Sequence, residues 1–198
     1  MAGKPLGRPR SRDADVKILR SAYRLVIERG YPELTIEAIA LRAGVGKPTI
    51  YLRWPNKARL VLDAVLSEMD QRIAFPRSAS LRTALRIQMK RLARFLNSPQ
   101  GKIIATIIGG GQADQELLEA FRDGWVAPRR AYAREFLEQF VAAGQLDRGI
   151  DIEFAIDLLY GPLFYRLLLK HAPLDAKFVD RLVDTVLDGF EKSAKVKA

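Results

Sequence analysis

Five residues that follow a glycine-containing turn carry side chains suited to binding a nucleic acid. Lys47, Thr49, Tyr51 and Arg53 supply positive charge and hydrogen-bond donors, and Leu52 supplies an apolar surface between them. Lysine and arginine donate to phosphate or to guanine O6 and N7, hydroxyl groups donate to phosphate, and an apolar side chain can pack on a thymine methyl. The pattern predicts a brief helix that contacts DNA.

Positive charge is concentrated at the same end of the chain. The formal net charge is +10 at pH 7, and residues 1–60 contain thirteen basic and five acidic side chains. Basic side chains gain affinity for a polyanion by releasing the counterions of its phosphates, so this imbalance indicates a nucleic-acid partner. Charge alone leaves open a basic solvated surface without a partner.

The contact residues require a helix-turn-helix to position them. Thr35 is a suitable N-cap for a helix over residues 36–43, and Gly44 ends that helix. Pro48 suits the first turn of a further helix, which Pro55 stops. In this arrangement the second helix lies in the major groove of DNA while the first crosses the backbone.

Two flanking helices complete the predicted DNA-binding region. One begins near Asp13 and stops at Gly30, and the other is capped by Asn56 and runs from Lys57 to about Ile73. Helical spacing places Ile50 and Trp54 on one face, so we expect both to pack against the first helix.

The rest of the chain also has helical periodicity, and no strand signal is comparably strong. Further helices are predicted at about 80–97, 103–108, 115–125, 128–144, 152–170 and 176–193. The predicted fold is therefore all-α with nine to ten helices. The domains are a flexible basic arm (1–12), a helix-turn-helix DNA-binding domain (13–74) and a larger helical domain (75–198).

The segment Thr35–Leu60, TIEAIALRAGVGKPTIYLRWPNKARL, resembles the tetracycline-repressor (TetR/AcrR-like) family. The similarity extends over about Ile18–Leu66, and the segment Leu159–Leu169 resembles the C-terminal motif of one subgroup. The resemblance implies a dimeric transcriptional repressor that leaves its DNA operator when a small molecule enters the C-terminal domain.

The resemblance also implies roles for individual side chains. Those expected to contact phosphates are Thr35, Thr49, Tyr51 and Lys57. Those expected to contact bases are Lys47 and Arg53 on guanine, with Pro48 and Leu52 on a thymine methyl. Tyr51 could instead be a plain surface aromatic, and Leu52 a packing residue.

Arg8 and Arg10 form a second candidate contact with DNA. They lie on the predicted N-terminal arm, and arginines on such an arm can enter a narrow minor groove. A disordered solubilising tail fits the same composition.

The same resemblance implies that the domain of residues 75–198 binds a ligand and forms the dimer, so it is expected to hold an effector pocket and a dimer interface. Packing in a helical core is the default role of each aromatic side chain there. The predicted pocket lining, which suits a largely apolar or aromatic molecule, is Phe95, Ile104, Ile108, Trp125, Tyr132, Phe136, Tyr160 and Phe164. The predicted interface, formed by the last two helices of both protomers, is Leu159, Leu163, Leu167, Phe178, Leu182, Val186 and Phe190. A two-fold homodimer predicts a near-palindromic double-stranded operator.

Other classes of protein have little support in the sequence. Cysteine is absent, no metal or cofactor is expected, and His171 beside a proline turn suits a solvated loop better than a general base. The carboxylates of Asp114, Glu116 and Glu119 are explained by a helix start. We therefore expect a regulator rather than an enzyme. A ligand-independent DNA-binding factor, such as a nucleoid-occlusion-like protein or an activator, is the alternative.

Neither the N-terminal segment nor the apolar stretches of the sequence suggest a membrane protein. The apolar stretch Leu158–Leu169 is interrupted by Gly161, Pro162 and Arg166, and the N-terminus lacks the apolar core of a signal peptide. A cytoplasmic, nucleoid-associated protein is expected.

Overall fold

All regular secondary structure in the described part of the chain is helical. The structure, a computed structural model, describes residues 12–68, 74–76 and 80–196. Its elements are α1 (Arg12–Arg29), α2 (Ile36–Ala43), α3 (Lys47–Tyr51), α4 (Lys57–Ser67), α5 (Leu81–Leu96), α6 (Pro99–Gly110), α7 (Gln115–Phe121), a π-helical turn (Arg122–Val126), α8 (Ala127–Ala142), α9 (Ile152–Leu169) and α10 (Ala176–Val196). The predicted all-α class is confirmed.

The helices group into two compact units. The first contains α1 to α4 together with residues 106–121, and the second contains residues 74–76, 80–105 and 122–196. The sequence predicted a single boundary near residue 74. In the structure, residues 106–121, which lie beyond that boundary in the chain, belong to the first unit. Helix α6 contributes residues to both units.

The first unit is built around α1. Ile18, Ala22 and Leu25 lie on one face of this helix and are almost completely buried. Helices α2 and α4 both pack against α1, and α7 packs against α4. Burial of this apolar stripe fixes the helices that carry the predicted DNA contacts.

Helix α6 begins earlier than the sequence predicts. Pro99 and Gly101 suggested a break, but Pro99 occupies the first turn, where its missing N–H costs nothing. A Cβ on Gly101 would lie 2.1 Å from the carbonyl oxygen of Leu96, so glycine permits α6 to start tightly against the end of α5. The predicted end of α4 near Ile73 lies outside the described residues, and α4 itself ends at Ser67.

Charged ladders join the outer surfaces of helices in the second unit. Three basic residues of α5 pair with three aspartates of α10, each set spaced by four residues: Arg82, Arg86 and Lys90 with Asp180, Asp184 and Asp188. A smaller cluster joins α8 to α9 through Arg130, Arg134, Glu153 and Asp157. These pairs fix which faces of the helices meet.

None of the helices in the described residues is long and apolar enough to cross a membrane.

Candidate nucleic-acid interface

Helices α2 and α3 and the turn between them form a helix-turn-helix. Gly44 adopts the left-handed conformation with a φ of 68°, and the Val45 N–H donates to the Ala40 carbonyl at 3.0 Å. The side chain of Ile50 is completely buried. Trp54, 6% exposed, donates its indole N–H to Asp63 of α4 at 3.1 Å. One side of α3 is thereby held against the unit, and the other faces outward.

The outward side of α3 carries most of the side chains predicted to contact DNA. Tyr51 is 53% exposed and Leu52 is 71% exposed, whereas a packing residue would be buried. The side chain of Lys47 is 52% exposed, Pro48 is exposed, and Thr49 is half-buried. The surface therefore offers an ammonium, a phenol and an apolar patch within two helical turns.

Arg53 lies differently from the sequence prediction. Its side chain is only 13% exposed, and its Nε atom pairs with Asp15 of α1. A second guanidinium nitrogen donates to the Thr49 carbonyl at 2.8 Å. Two of the five guanidinium N–H donors are thereby engaged, and the largely buried side chain holds the segment after α3 against α1. Helical spacing did not indicate this role, because the partner carboxylate lies 38 residues away.

Two predicted phosphate contacts lie at helix starts. The Thr35 hydroxyl oxygen accepts from the Ala38 N–H at 3.2 Å, which leaves its own proton available to a phosphate. The Lys57 ammonium donates to the Tyr31 carbonyl at 3.2 Å and lies 4.2 Å from the centre of the Tyr31 ring. Since an ammonium has three donors, Lys57 can hold this position and also contact an anion.

Glu37 has a contact that sequence analysis missed. Its Oε1 atom accepts from the Lys47 ammonium at 2.9 Å, and the two side chains are 63% and 52% exposed respectively. The hydrogen bond lowers the pKa of Glu37 and raises the pKa of Lys47, so the pair is ionised near neutrality. The sequence does show an acidic residue two positions after the N-cap Thr35. This position did not predict the ion pair, because the dipole of α2 favours an acidic residue there in any case.

Tyr31 joins the DNA-binding helices to the start of α7. Its side chain is buried, and its hydroxyl donates to Asp114 Oδ2 at 3.2 Å, while Oδ1 of the same carboxylate caps α7 at the Leu117 N–H. Burial, followed by the Asp114 charge, raises the pKa of Tyr31 far above its usual value, so the phenol remains protonated. Lys57, Tyr31 and Asp114 thus form a continuous polar chain within the first unit.

The residues predicted to line an effector pocket lie in several environments. Ile104 and Trp125 are fully buried, and the ring of Phe95 stacks on Trp125 with centroids 5.6 Å apart. Tyr160 donates to the buried Gln88 at 3.0 Å. These contacts place polar hydrogen bonding and aromatic surface in the interior of the second unit.

The other pocket candidates are more exposed or belong elsewhere. Tyr132 is 46% exposed and so does not lie in an enclosed cavity. Phe136 stacks on Phe75 with centroids 3.8 Å apart, Phe164 is half-buried, and Ile108 belongs to the first unit.

A surface depression of about 320 Å³ lies on α8 and contains none of the predicted pocket residues. Its lining is Ala127, Arg130, Ala131, Arg134, Glu135 and Glu138. Four of these six residues are charged and none is aromatic, unlike the pocket lining predicted from the sequence.

The predicted dimer interface requires a correction. Leu159, Leu163 and Leu167 are 1%, 0% and 8% exposed, and Val186 is 9% exposed. These side chains form the interior of the second unit, so they cannot offer a surface to another copy. Phe178, Leu182 and Phe190 are half-buried, and the ring of Phe178 lies 3.5 Å from the Arg166 guanidinium carbon.

The opposite side of α9 exposes a different apolar stripe. Phe154, Leu158, Tyr165 and Leu168 are 55%, 37%, 58% and 42% exposed, and Gly161 between them has no atom within 4 Å of a built Cβ. Alternating steps of four and three residues keep these positions on one face of a helix. The same spacing was visible in the sequence, but α9 is apolar on both sides.

The predicted arm contacts, Arg8 and Arg10, lie outside the described residues. Within residues 12–68, 74–76 and 80–196 no group of three or more His, Cys, Asp or Glu side chains could hold a metal ion.

A short helix with one buried face, and one outward face that offers an ammonium, a phenol and an apolar patch after a left-handed glycine turn, defines a helix-turn-helix DNA-binding protein. Comparison with known families gives the particular type. Residues 18–64 match "Bacterial regulatory proteins, tetR family", and residues 75–186 match "Tetracyclin repressor-like, C-terminal domain". The chain belongs to the TetR family of transcriptional regulators, as the sequence resemblance predicted.

Individual relatives agree with this assignment along almost the whole chain. The HTH-type transcriptional regulator YdeS of Bacillus subtilis (strain 168) is 38% identical over 192 residues, which is 97% of each chain. The DNA-binding transcriptional repressor TetR of Mycobacteroides abscessus is 30% identical over 86% of this chain and 90% of its own. The crystal structure of the TetR family transcription regulator SCO0332 is 33% identical, with a TM-score of 0.77 over 89% of this chain and 98% of that one.

Proposed function

We propose that the protein is a dimeric, sequence-specific repressor that a small molecule releases from its operator. The observation that carries this proposal is the outward face of α3, on which Lys47, Tyr51 and Leu52 are exposed. The buried side chains of Ile50 and Trp54 hold the opposite face of the helix against the first unit. Repression is supported by the similar protein of Mycobacteroides abscessus, which is described as a repressor. Because its partner is chromosomal DNA, we infer that it acts at the nucleoid, in the cytoplasm.

The side chains of the interface divide into two roles. Thr35, Thr49, Tyr51 and Lys57 would contact phosphates, which position the protein on any duplex. Lys47 would donate to guanine, and Pro48 and Leu52 would pack on a thymine methyl. Arg8 and Arg10 would add a minor-groove contact.

Dimerisation is proposed through the exposed stripe of α9 rather than through the leucines predicted first. Phe154, Leu158, Tyr165 and Leu168 provide a continuous apolar surface, and Gly161 at its centre allows close approach of a second helix. An isologous pairing places two α3 helices in one molecule. The operator would then be near-palindromic, with half-site centres about 34–36 Å, or a multiple of that, apart.

Effector control is proposed to act through α6, α7 and α4. Helix α6 contributes residues to both units, α7 packs on α4, and Lys57 at the start of α4 is tied to Asp114 through Tyr31. A molecule bound among the aromatic side chains of the second unit would release DNA if it stabilised a different placement of these helices. FadR of Bacillus subtilis, a structural neighbour at 19% identity with a TM-score of 0.67, has been solved with stearoyl-CoA.

Selection of bound duplexes from a random library tests DNA recognition directly. The purified protein should enrich a near-palindromic sequence. Tyr51→Phe and Lys57→Ala should then weaken binding to all duplexes alike, with Lys57→Ala reducing the slope of log affinity against log salt by about one. Lys47→Ala should instead relax preference at one base pair by about 1–3 kcal/mol.

Arg148→Ala provides the control for removal of one positive charge, since Arg148 is an exposed loop residue of the second unit. It should leave the enriched sequence and the salt slope unchanged. Absence of any enriched duplex with the unaltered protein would contradict the proposal. Effector candidates can be found as compounds that raise the melting temperature and lower operator affinity together.

A further inference from the structure

Glu37 is an unexpected residue in a surface that faces DNA. Its carboxylate is 63% exposed in a region with a large excess of positive charge, and it lies 2.9 Å from the ammonium of Lys47. A carboxylate directed at phosphates would weaken binding by repulsion. Its location beside the residue proposed to contact bases calls for a chemical reason.

The structure fixes the two groups as one unit. Glu37 lies in the first turn of α2, which Thr35 caps, and Lys47 is the first residue of α3. The helix dipole accounts for an acidic residue in the first turn of α2, but it does not account for the ion pair to the next helix. If Lys47 contacts the edge of a base, the Glu37 carboxylate therefore lies beside the same base pair.

The major groove contains a matching pair of groups. In a G·C pair, guanine O6 accepts and cytosine N4 donates, and the hydrogen bond between them spans about 2.9 Å. Lysine is a donor to guanine O6 and N7, and glutamate accepts from cytosine N4. A cation and an anion held 2.9 Å apart thus complement the edge of one G·C pair. An A·T pair also has two acceptors, adenine N7 and thymine O4, but the adenine N6 donor lies between them. A cation beside the carboxylate therefore reaches one acceptor of an A·T pair, whereas guanine offers it two adjacent ones.

We infer that Glu37 is a specificity-determining residue that accepts a hydrogen bond from cytosine N4 while Lys47 donates to the guanine of the same base pair. The inference rests on the proposed function. Because the pair carries no net charge, it adds discrimination with little general attraction to phosphate. Glu37 therefore reduces binding to unrelated DNA as well as selecting the correct base pair.

The test compares the unaltered protein with Glu37→Ala and Glu37→Gln on duplexes that carry every base pair at each operator position. The unaltered protein should prefer G·C at one position of each half-site by about 5- to 150-fold. Glu37→Ala should lose most of this preference at that position alone. Glu37→Gln should move it towards A·T, because an amide pairs with adenine N6 and N7.

A modified base separates direct contact from an effect through Lys47. Replacing the selected cytosine with N4-methylcytosine removes the outward N4–H but keeps the Watson–Crick hydrogen bond. This duplex should bind the unaltered protein more weakly by a similar factor, and it should bind Glu37→Ala no differently from the unmodified one. If Glu37 acted only by positioning Lys47, the N4-methyl group would not weaken binding of the unaltered protein more than it weakens binding of Glu37→Ala.

Glu28→Gln is the matched control, because Glu28 forms an ion pair with Arg42 at 2.8 Å on the same unit and is 48% exposed. It should leave the base-pair profile unchanged. An unchanged profile for Glu37→Ala, or equal weakening of both proteins by N4-methylcytosine, would overturn the inference while leaving the proposed function intact. Failure of the unaltered protein to prefer any duplex would instead overturn the proposed function.

Discussion

The dimer surface proposed on α9 gives a prediction whose magnitude follows from the exposure of its side chains. Tyr165 is 58% exposed, and an aromatic side chain that becomes buried removes about 150–250 Å² from water. About 100 Å² of each Tyr165 side chain is therefore available to a partner. At about 25 cal/mol per Å² this corresponds to about 2.5 kcal/mol for each protomer. A symmetric dimer contains the residue twice, so Tyr165→Ala should cost up to about 5 kcal/mol of association free energy.

That loss corresponds to an increase of up to about five thousandfold in the dimer dissociation constant. Sedimentation equilibrium over a range of protein concentrations would measure it. At low protein concentration, the free energy of unfolding measured in urea should change little, because more than half of the Tyr165 side chain is exposed in its own chain. The ring contact with His171, with centroids 4.8 Å apart, would be lost. Affinity for a full operator should fall towards that for a single half-site.

Leu163→Ala is the opposing control on the same helix. Leu163 is completely buried, so truncation should destabilise the fold by about 2–5 kcal/mol without removing dimer surface. The reasoning fails if Tyr165→Ala leaves the dissociation constant unchanged while folded Leu163→Ala becomes monomeric. That pattern would return the interface to the residues first predicted.

Two further predictions concern stability. Gly44→Ala should lower the free energy of unfolding by about 1–2 kcal/mol in urea titration, because the φ of Gly44 is 68°, a value that a Cβ disfavours even with no other atom within 4 Å. The same change at Gly189, in the ordinary helix α10, should not be destabilising, because a Cβ there also has no atom within 4 Å, and equal effects would contradict the argument. Asp184→Asn should make the free energy of unfolding less dependent on pH between about pH 5 and 3. Hydrogen bonds from Arg82 and Arg86 lower the pKa of Asp184 in the folded protein. The ionised carboxylate therefore stabilises the fold above the usual pKa of aspartate, and this contribution is lost as the pH falls. Parallel stability curves for the two proteins over that interval would show that the ladder does not contribute in this way.

The DNA-binding helices were predictable because their boundaries depend on local chemistry. Thr35 and Asn56 each cap the helix that follows through a side-chain oxygen, and Gly44 takes the positive φ that ends α2. Pro48 lies in the first turn of α3. These interactions span at most a few residues, so the sequence contains both partners. The start of α6 was not predictable in this way, because the role of Gly101 depends on its approach to Leu96.

The error at α9 has a different physical origin. The helix is apolar around much of its circumference, so periodicity offers two candidate stripes and does not say which one faces its own chain. The choice depends on the neighbouring helices: α9 packs on α5, α8 and α10, and these contacts bury Leu159, Leu163 and Leu167. Charged residues at the rim, such as Arg130 with Glu153, also fix which side of α9 meets α8. Neither constraint is visible until distant segments are brought together.

Lys47 in α3 and Arg53 just after it show, at the site itself, the same limit of prediction from sequence. By charge and spacing Lys47 and Arg53 are equivalent candidates for guanine, but each has found a different carboxylate. Asp15 draws Arg53 into the interior, where its side chain is 13% exposed, whereas Glu37 leaves Lys47 at 52% exposure. In the proposed interface, base recognition therefore depends on Lys47 together with Glu37, and Arg53 contributes by holding the segment after α3 in place. Which of the two cations is proposed to contact DNA thus follows from the carboxylate that the fold brings near each of them.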